Sequence, residues 1–133
     1  MSGYLLDTNI LSDLIRNPSG AIAKHLEQEK PSEICTSMIV AAELRYGCAK
    51  KRSAKLSARV ESLLETLTIL PLEAPADREY GRIRAELEAT GQVIGSNDLL
   101  IAAQALALGL ALVTDNTREF SRIPGLAIEN WLK

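Results

Sequence analysis

Short apolar runs alternate along the chain with longer segments in which apolar residues recur at helical spacing. The runs are rich in Leu, Ile and Val and predict strands near residues 3–6, 34–36, 69–72, 110–114 and 126–128. The longer segments predict helices near residues 9–16, 20–30, 38–50, 54–67, 76–89 and 97–108. Several predicted boundaries coincide with or lie near a proline, at Pro18, Pro31, Pro71 and Pro75. This alternation is typical of an α/β fold in which helices cover both faces of a mostly parallel sheet.

The length of 133 residues fits a single domain, 1–133, that buries roughly two thirds of its unfolded surface. A hydrophobic fraction of 47% and a charged fraction of 24% are typical of a globular protein. The longest nearly apolar run, residues 99–113, is shorter than the ~20 residues that span a bilayer, and it predicts a buried helix followed by a buried strand. Asp7 and Asp13 interrupt the first apolar segment, which therefore does not resemble a secretory signal. We expect a cytoplasmic protein.

The formal net charge of −2 argues against a broad electrostatic affinity for nucleic acid. The segment 45–59 is nevertheless basic and contains no acid; its cations are Arg45, Lys50, Lys51, Arg52, Lys55 and Arg59. It predicts either a solvated helix end or a surface that contacts phosphate groups. We expect the only histidine, His25, to be solvated on a polar helix, and Cys35 and Cys48 to be small buried residues.

Four carboxylates stand out by their positions. Asp7 follows the first predicted strand, Asp115 follows the fourth, Asp98 lies in the first turn of an apolar helix, and Glu43 lies within another helix. Parallel sheets bind ligands at the carboxyl ends of their strands, so acids placed there are candidates for a site. Each aspartate also has a structural alternative: Asp7 as a helix cap, Asp98 as a favourable charge at a helix N-terminus, and Asp115 in an Asx-turn.

Glu43 is harder to explain structurally, because no basic residue lies three or four positions away on its helix. A carboxylate on such an apolar face requires hydrogen-bond donors or a cation. Four acids that converge repel one another, and a bound metal ion is the best explanation for such a cluster. Oxygen ligands favour Mg²⁺ or Mn²⁺, which often bind a substrate phosphate as well. The sequence therefore predicts phosphate chemistry.

Four motifs, "LLDTNIL", "AAELRYG", "GSNDLLIAAQA" and "LVTDNTREF", occur in this order and extend over nearly the whole chain. Together they resemble the PIN domain family and, more narrowly, the VapC toxins of bacterial toxin–antitoxin pairs. The resemblance implies a three-layer α/β/α sandwich with a central, mostly parallel sheet. It also implies a Mg²⁺- or Mn²⁺-dependent endoribonuclease that forms a homodimer and is inhibited by a VapB-type antitoxin. Resemblance to enteric members of this family implies an RNA target in the anticodon stem-loop of initiator tRNA.

Carried over position by position, Asp7 and Asp98 match the metal ligands of the family, and Glu43 matches its third acid. Many relatives place a fourth aspartate where this chain has Asn116. Either the adjacent Asp115, which is favoured because of its charge, replaces it, or the site operates with three acids and the neutral amide of Asn116. Short polar residues that flank the acids are candidates either to orient carboxylates and water or to cap helices, as Ser96 is well placed to do; they are Thr8, Asn9, Ser96, Asn97, Thr114 and Asn116.

The single histidine excludes a two-histidine site within one chain, so the carboxylates favour hydrolysis by metal-activated water over attack by the RNA 2′-hydroxyl. A PIN-type enzyme would leave a 3′-hydroxyl and a 5′-phosphate. Two other functions remain open. A phosphoacceptor receiver domain would need a lysine after its last strand, where the chain offers only the terminal Lys133. A non-catalytic PIN-fold binding module is the other, and the intact Asp7, Glu43 and Asp98 argue against it.

Overall fold

The computed structural model describes residues 3–133 and contains a five-stranded, entirely parallel sheet flanked by seven helices. The strands are β1 (Tyr4–Leu6), β2 (Ile34–Ser37), β3 (Thr68–Leu70), β4 (Ala111–Val113) and β5 (Ile128–Glu129). The helices are α1 (Thr8–Arg16), α2 (Ala21–Glu27), α3 (Met38–Lys51), α4 (Ala54–Thr66), α5 (Ala76–Ala89), α6 (Ser96–Leu108) and α7 (Thr117–Phe120). The predicted α/β architecture is therefore confirmed.

The strand order is β3-β2-β1-β4-β5, so the first strand of the chain lies at the centre of the sheet. In register, Leu5 of β1 lies beside Cys35 of β2 and Leu112 of β4. This order differs from the order 2-1-3-4-5 that is found in receiver-type doubly wound folds. The topology therefore excludes the receiver alternative.

All five predicted strands and all six predicted helices are present, with small differences at their ends. Helix α2 stops at Glu27 instead of residue 30, and a short 3₁₀ turn, Pro31–Glu33, precedes β2. The last strand lies at Ile128–Glu129 instead of 126–128, because its pairing with β4 sets its register. Helix α7 was not predicted, since four residues are too few to show a helical period.

The core is built on the central strands and on helix α6. Leu5 and Leu6 are fully buried. Helix α6 buries three alanines, Ala102, Ala103 and Ala105, whose small side chains allow close packing. The apolar run 99–113 forms a helix and then a strand, as predicted, with Gly109 at φ 67° ending the helix in a left-handed conformation. Within residues 3–133 no helix is long and apolar enough to cross a membrane.

The structure corrects the prediction for His25 and confirms the one for the cysteines. The His25 ring stacks on Trp131, with ring centroids 3.9 Å apart and planes at 8°, and its side chain is only 32% exposed. Sequence patterns near His25 gave no sign of a partner that lies more than 100 positions away. Cys35 and Cys48 are buried and unpaired, and burial raises the pKa of the Cys35 thiol to about 11.

Candidate functional site

Asp7 is the most buried acid of the site, at 3% exposure, and it lies just after the central strand β1. Its Oδ1 accepts a hydrogen bond from the Thr8 N–H at 2.8 Å, so Asp7 does cap α1. Its Oδ2 accepts one from the Thr114 hydroxyl at 2.8 Å and one from the Asn9 amide at 3.3 Å. Burial raises the pKa of Asp7, while the hydrogen bonds from Thr114 and Thr8 lower it. Capping and membership of an acid cluster are therefore not alternatives here, because each oxygen has a different role.

Glu43 projects from α3 toward the start of α1 and the start of α6. The Thr8 hydroxyl donates to Glu43 Oε1, and Asn97 Nδ2 donates to Oε2 at 3.4 Å. The half-buried carboxylate thus has the hydrogen-bond donors that its apolar helix face requires. Thr8 contacts both acids, since its N–H binds Asp7 and its hydroxyl binds Glu43.

Asp98 lies half-buried in the first turn of α6. Its pKa is raised to about 6, first by burial and then by the negative charges of Asp7, Glu43 and Glu119. Because repulsion between charges weakens with distance, Asp98 lies near these three acids. The expected cap Ser96 is wrong: Gly95 is the N-cap, Ser96 is the first helical residue, and no side chain caps this end.

The turn after β4 decides how the remaining acids are arranged. Asp115 is exposed, and its Oδ1 accepts a hydrogen bond from Asn130 Nδ2 at 3.0 Å. Its backbone N–H, not its carboxylate, faces the site and donates to Asn9 Oδ1 at 2.9 Å. Asn116 Nδ2 donates instead to Glu119 Oε2 at 3.3 Å, and Glu119 is the acid whose charge acts on Asp98. The structure therefore brings Glu119, and not Asp115, toward the other carboxylates.

Sequence reasoning missed Glu119, although a local signal was present. The motif "NTRE" places an asparagine three residues before a glutamate, which is the spacing that begins many helices. Asn116 is indeed the N-cap residue of α7, and Glu119 is the third residue of that helix. If this short helix is recognised in the sequence, Glu119 is expected to point back toward the turn.

Five of the six flanking polar residues are hydrogen-bonded to an acid or to each other around the site. Thr114 is fully buried; besides donating to Asp7, its hydroxyl accepts from Asn9 Nδ2 at 3.3 Å and from the Asn116 N–H at 3.0 Å. The Ser96 side chain has no hydrogen bond to an acid among residues 3–133. The five residues that do take part are Thr8, Asn9, Asn97, Thr114 and Asn116.

The cluster carries uncompensated negative charge. Every ion pair among residues 3–133 lies elsewhere, and none involves Asp7, Glu43, Asp98 or Glu119. The available ligands are all oxygen atoms, the type that Mg²⁺ and Mn²⁺ prefer. Within the described residues no three His, Cys, Asp or Glu side chains are close enough to hold a metal by themselves. Mg²⁺ typically binds one or two carboxylates and completes its coordination with water and substrate phosphate, so the residues fit an open site.

Known proteins are similar to this chain over almost its whole length. The chain matches the PIN domain family over residues 4–126. It is 42% identical to ribonuclease VapC2 of Rickettsia felis over 132 residues, which is 98% of both chains. It is 35% identical to the tRNA(fMet)-specific endonuclease VapC of Shigella flexneri, over 98% of this chain and 99% of that protein.

Among solved structures, the fold is similar to a crystal structure of VapBC2 from Rickettsia felis bound to a DNA fragment from their promoter. The TM-score is 0.90 at 40% identity, over 98% of this chain and 99% of that one. The similarity to that protein, in sequence and in backbone, thus extends over almost the full length of both chains. The chain belongs to the PIN domain family and, within it, to the VapC ribonucleases.

Proposed function

We propose that this chain is the toxin of a toxin–antitoxin pair, a metal-dependent endoribonuclease that hydrolyses phosphodiester bonds of RNA. The observation that carries the proposal is the convergence of Asp7, Glu43, Asp98 and Glu119, which come from four separate parts of the chain. The relatives named ribonuclease or endonuclease VapC support the reaction class. The uncompensated charge supports the need for a cation.

In this proposal Asp7 and Asp98 hold Mg²⁺ or Mn²⁺, with Glu43 and Glu119 beside them. The chemistry that a bound ion supplies is a lower pKa for the attacking water and stabilisation of charge on the phosphate. Thr114 and Asn9 fix Asp7 Oδ2 by hydrogen bonds. The Thr8 hydroxyl and the Asn97 amide fix Glu43 by hydrogen bonds. In this proposal the Glu43 carboxylate accepts the proton of the attacking water. The products are a 3′-hydroxyl and a 5′-phosphate.

The experiment is cleavage of an end-labelled RNA stem-loop, with the sequence of an initiator tRNA anticodon arm, by the purified full chain. Cleavage is expected with Mg²⁺ or Mn²⁺ and should stop when EDTA is added. Asp7→Asn should abolish it, whereas Asp77→Asn, the same change at the exposed start of α5, should not. Unchanged cleavage in EDTA would exclude the metal, and no cleavage by the wild type of this or other structured RNAs would favour the non-catalytic module.

The same acids suggest how a VapB-type antitoxin inhibits the enzyme. A guanidinium group can bind two carboxylates in a bidentate manner, so an arginine of the antitoxin would neutralise the cluster in place of the ion. The test compares inhibition by an antitoxin tail with and without its arginine changed to alanine. Equal inhibition at every metal concentration would mean that the tail acts only by covering the site. The proposed assembly is a homodimer of this chain in a heteromeric complex with the antitoxin.

A further inference from the structure

A groove in two adjoining parts lies beside the acid cluster, the first part between α1, α3 and α4 and the second between α1 and α4. Its first part is lined by Thr8 and Glu43 at one end and by Arg16 and Lys51 at the other, with a volume of about 180 Å³. Its second part, about 580 Å³, shares Ile15 and Arg16 with the first and includes Arg59 of α4. We call these two parts together the basic groove. It connects the predicted basic segment to the acids of the site.

The spacing along α3 gives the groove a direction. Glu43, Gly47 and Lys51 are separated by four residues each, so they lie on one face of the helix, and all three line the groove. Eight residues of α helix rise about 12 Å. The first part of the groove therefore extends about 12 Å from a carboxylate of the site to a cation.

The cations of the groove differ in how they are paired. For comparison, Arg45 lies outside the groove and forms a bidentate ion pair with Glu61, with N···O distances of 2.9 and 3.0 Å. Arg16 has only a long contact of 3.8 Å with Asp13. Lys51 and Arg59 have no carboxylate within 4.0 Å among the described residues. The groove thus offers positive charge that internal ion pairs do not neutralise.

The glycine at position 47 is independent evidence that the groove has a function. It lies in the interior of α3, where glycine costs about 1 kcal/mol relative to alanine. Its φ is not positive, and an added Cβ would meet no atom within 4 Å, so neither the backbone nor the packing requires glycine here. The missing side chain instead leaves the floor of the groove open between Glu43 and Lys51.

We propose that the basic groove holds the RNA backbone next to the phosphate that is cut, with Lys51 and Arg59 binding phosphate groups and Gly47 giving the strand room to pass. The inference rests on the proposed function, because the occupant is chosen by its phosphates. A phosphodiester strand provides the repeated negative charge that unpaired cations along a groove complement. The apolar floor accommodates ribose and base faces.

The test measures binding and cleavage separately. Binding of a fluorescein-labelled RNA stem-loop to the full chain is measured in EDTA, by anisotropy over a range of salt concentrations. Lys51→Gln and Arg59→Gln should each weaken binding severalfold and should each lower the salt slope by about 0.7 to 1. Lys24→Gln, an exposed lysine of α2 outside the groove, should change neither quantity.

Gly47→Ala provides a test that does not depend on charge. The variant should melt at a higher temperature than the wild type, since alanine is the better helix former, and yet should bind RNA more weakly and raise KM with little change in kcat. Gly81→Ala is the matched control, because Gly81 also lies inside a helix with no atom near its Cβ position but lines neither part of the groove. It should raise the melting temperature and leave RNA binding unchanged.

The outcomes separate this inference from the proposed function. If the wild type cleaves RNA and loses activity in EDTA while the groove variants bind RNA as the wild type does, the groove is refuted and the nuclease stands. If the variants lose affinity only for an antitoxin tail, the groove seats a protein partner and the inference is also refuted. If the wild type binds RNA through the groove but never cleaves it, the groove stands and the nuclease fails.

Discussion

Replacement of Asp98 by asparagine should stabilise the protein at neutral pH. The folded-state pKa of about 6 lies above the ordinary value of 3.8, so an ionised Asp98 costs free energy of folding. A shift of about 2 units corresponds to about 3 kcal/mol before screening, and the half-exposed position of the side chain reduces this to about 1 to 2 kcal/mol. For a chain of this length the melting temperature should rise by about 3 to 10 °C.

The stabilisation should depend on pH in a defined direction. An acid whose pKa is raised in the folded state destabilises that state progressively as the pH rises from about 4 to about 6, and by a constant amount above that. The gain from Asp98→Asn should therefore be complete at pH 7.5 and fall to about a third at pH 4.5. Urea unfolding in EDTA at both pH values measures it.

A matched control and a refuting result complete the experiment. Asp115→Asn makes the same chemical change at an exposed carboxylate directed toward Asn130, and it should alter the unfolding free energy by less than about 0.5 kcal/mol. If Asp98→Asn is less stable than the wild type at pH 7.5, or if its gain is equal at both pH values, then an ionised Asp98 does not destabilise the fold and the reasoning fails. The variant should meanwhile lose nearly all cleavage activity.

Three further predictions concern the turn after β4 and the core beneath it. Glu119→Gln should weaken Mn²⁺ binding and cleavage more than Asp115→Asn does, because the charge of Glu119 acts on Asp98. Calorimetry and initial rates measure the two effects, and the reverse order would mean that Asp115 belongs to the site. Asn116→Asp should strengthen Mn²⁺ binding by adding a charge beside Glu119, and an unchanged affinity would show that position 116 faces away from the ion. Phe120→Ala should lower the unfolding free energy by about 3 to 5 kcal/mol in urea titrations, since this fully buried ring would leave a cavity, and a loss below about 1 kcal/mol would contradict its core position.

Local sequence patterns were enough to predict the elements of the fold and to single out three of the clustered acids. Strands and helices are read from local periodicity, and β1 followed by Asp7 places a carboxylate at the edge where parallel strands end. Glu43 stood out because its helix neighbours offered no cation, and the structure supplies the Thr8 and Asn97 donors that it needed. These inferences succeed because spacing along one helix or strand fixes which side chains share a face.

Contacts between residues that are far apart in the sequence could be seen only in the folded chain. Local pattern could not show that Asn130 would turn Asp115 away from the acids, or that Trp131 would cover His25. It could not show that Glu119 would raise the pKa of Asp98, because the two residues belong to different helices. The direction of such a side chain depends on the donors and rings that pack beside it. Only the folded chain brings those distant partners together.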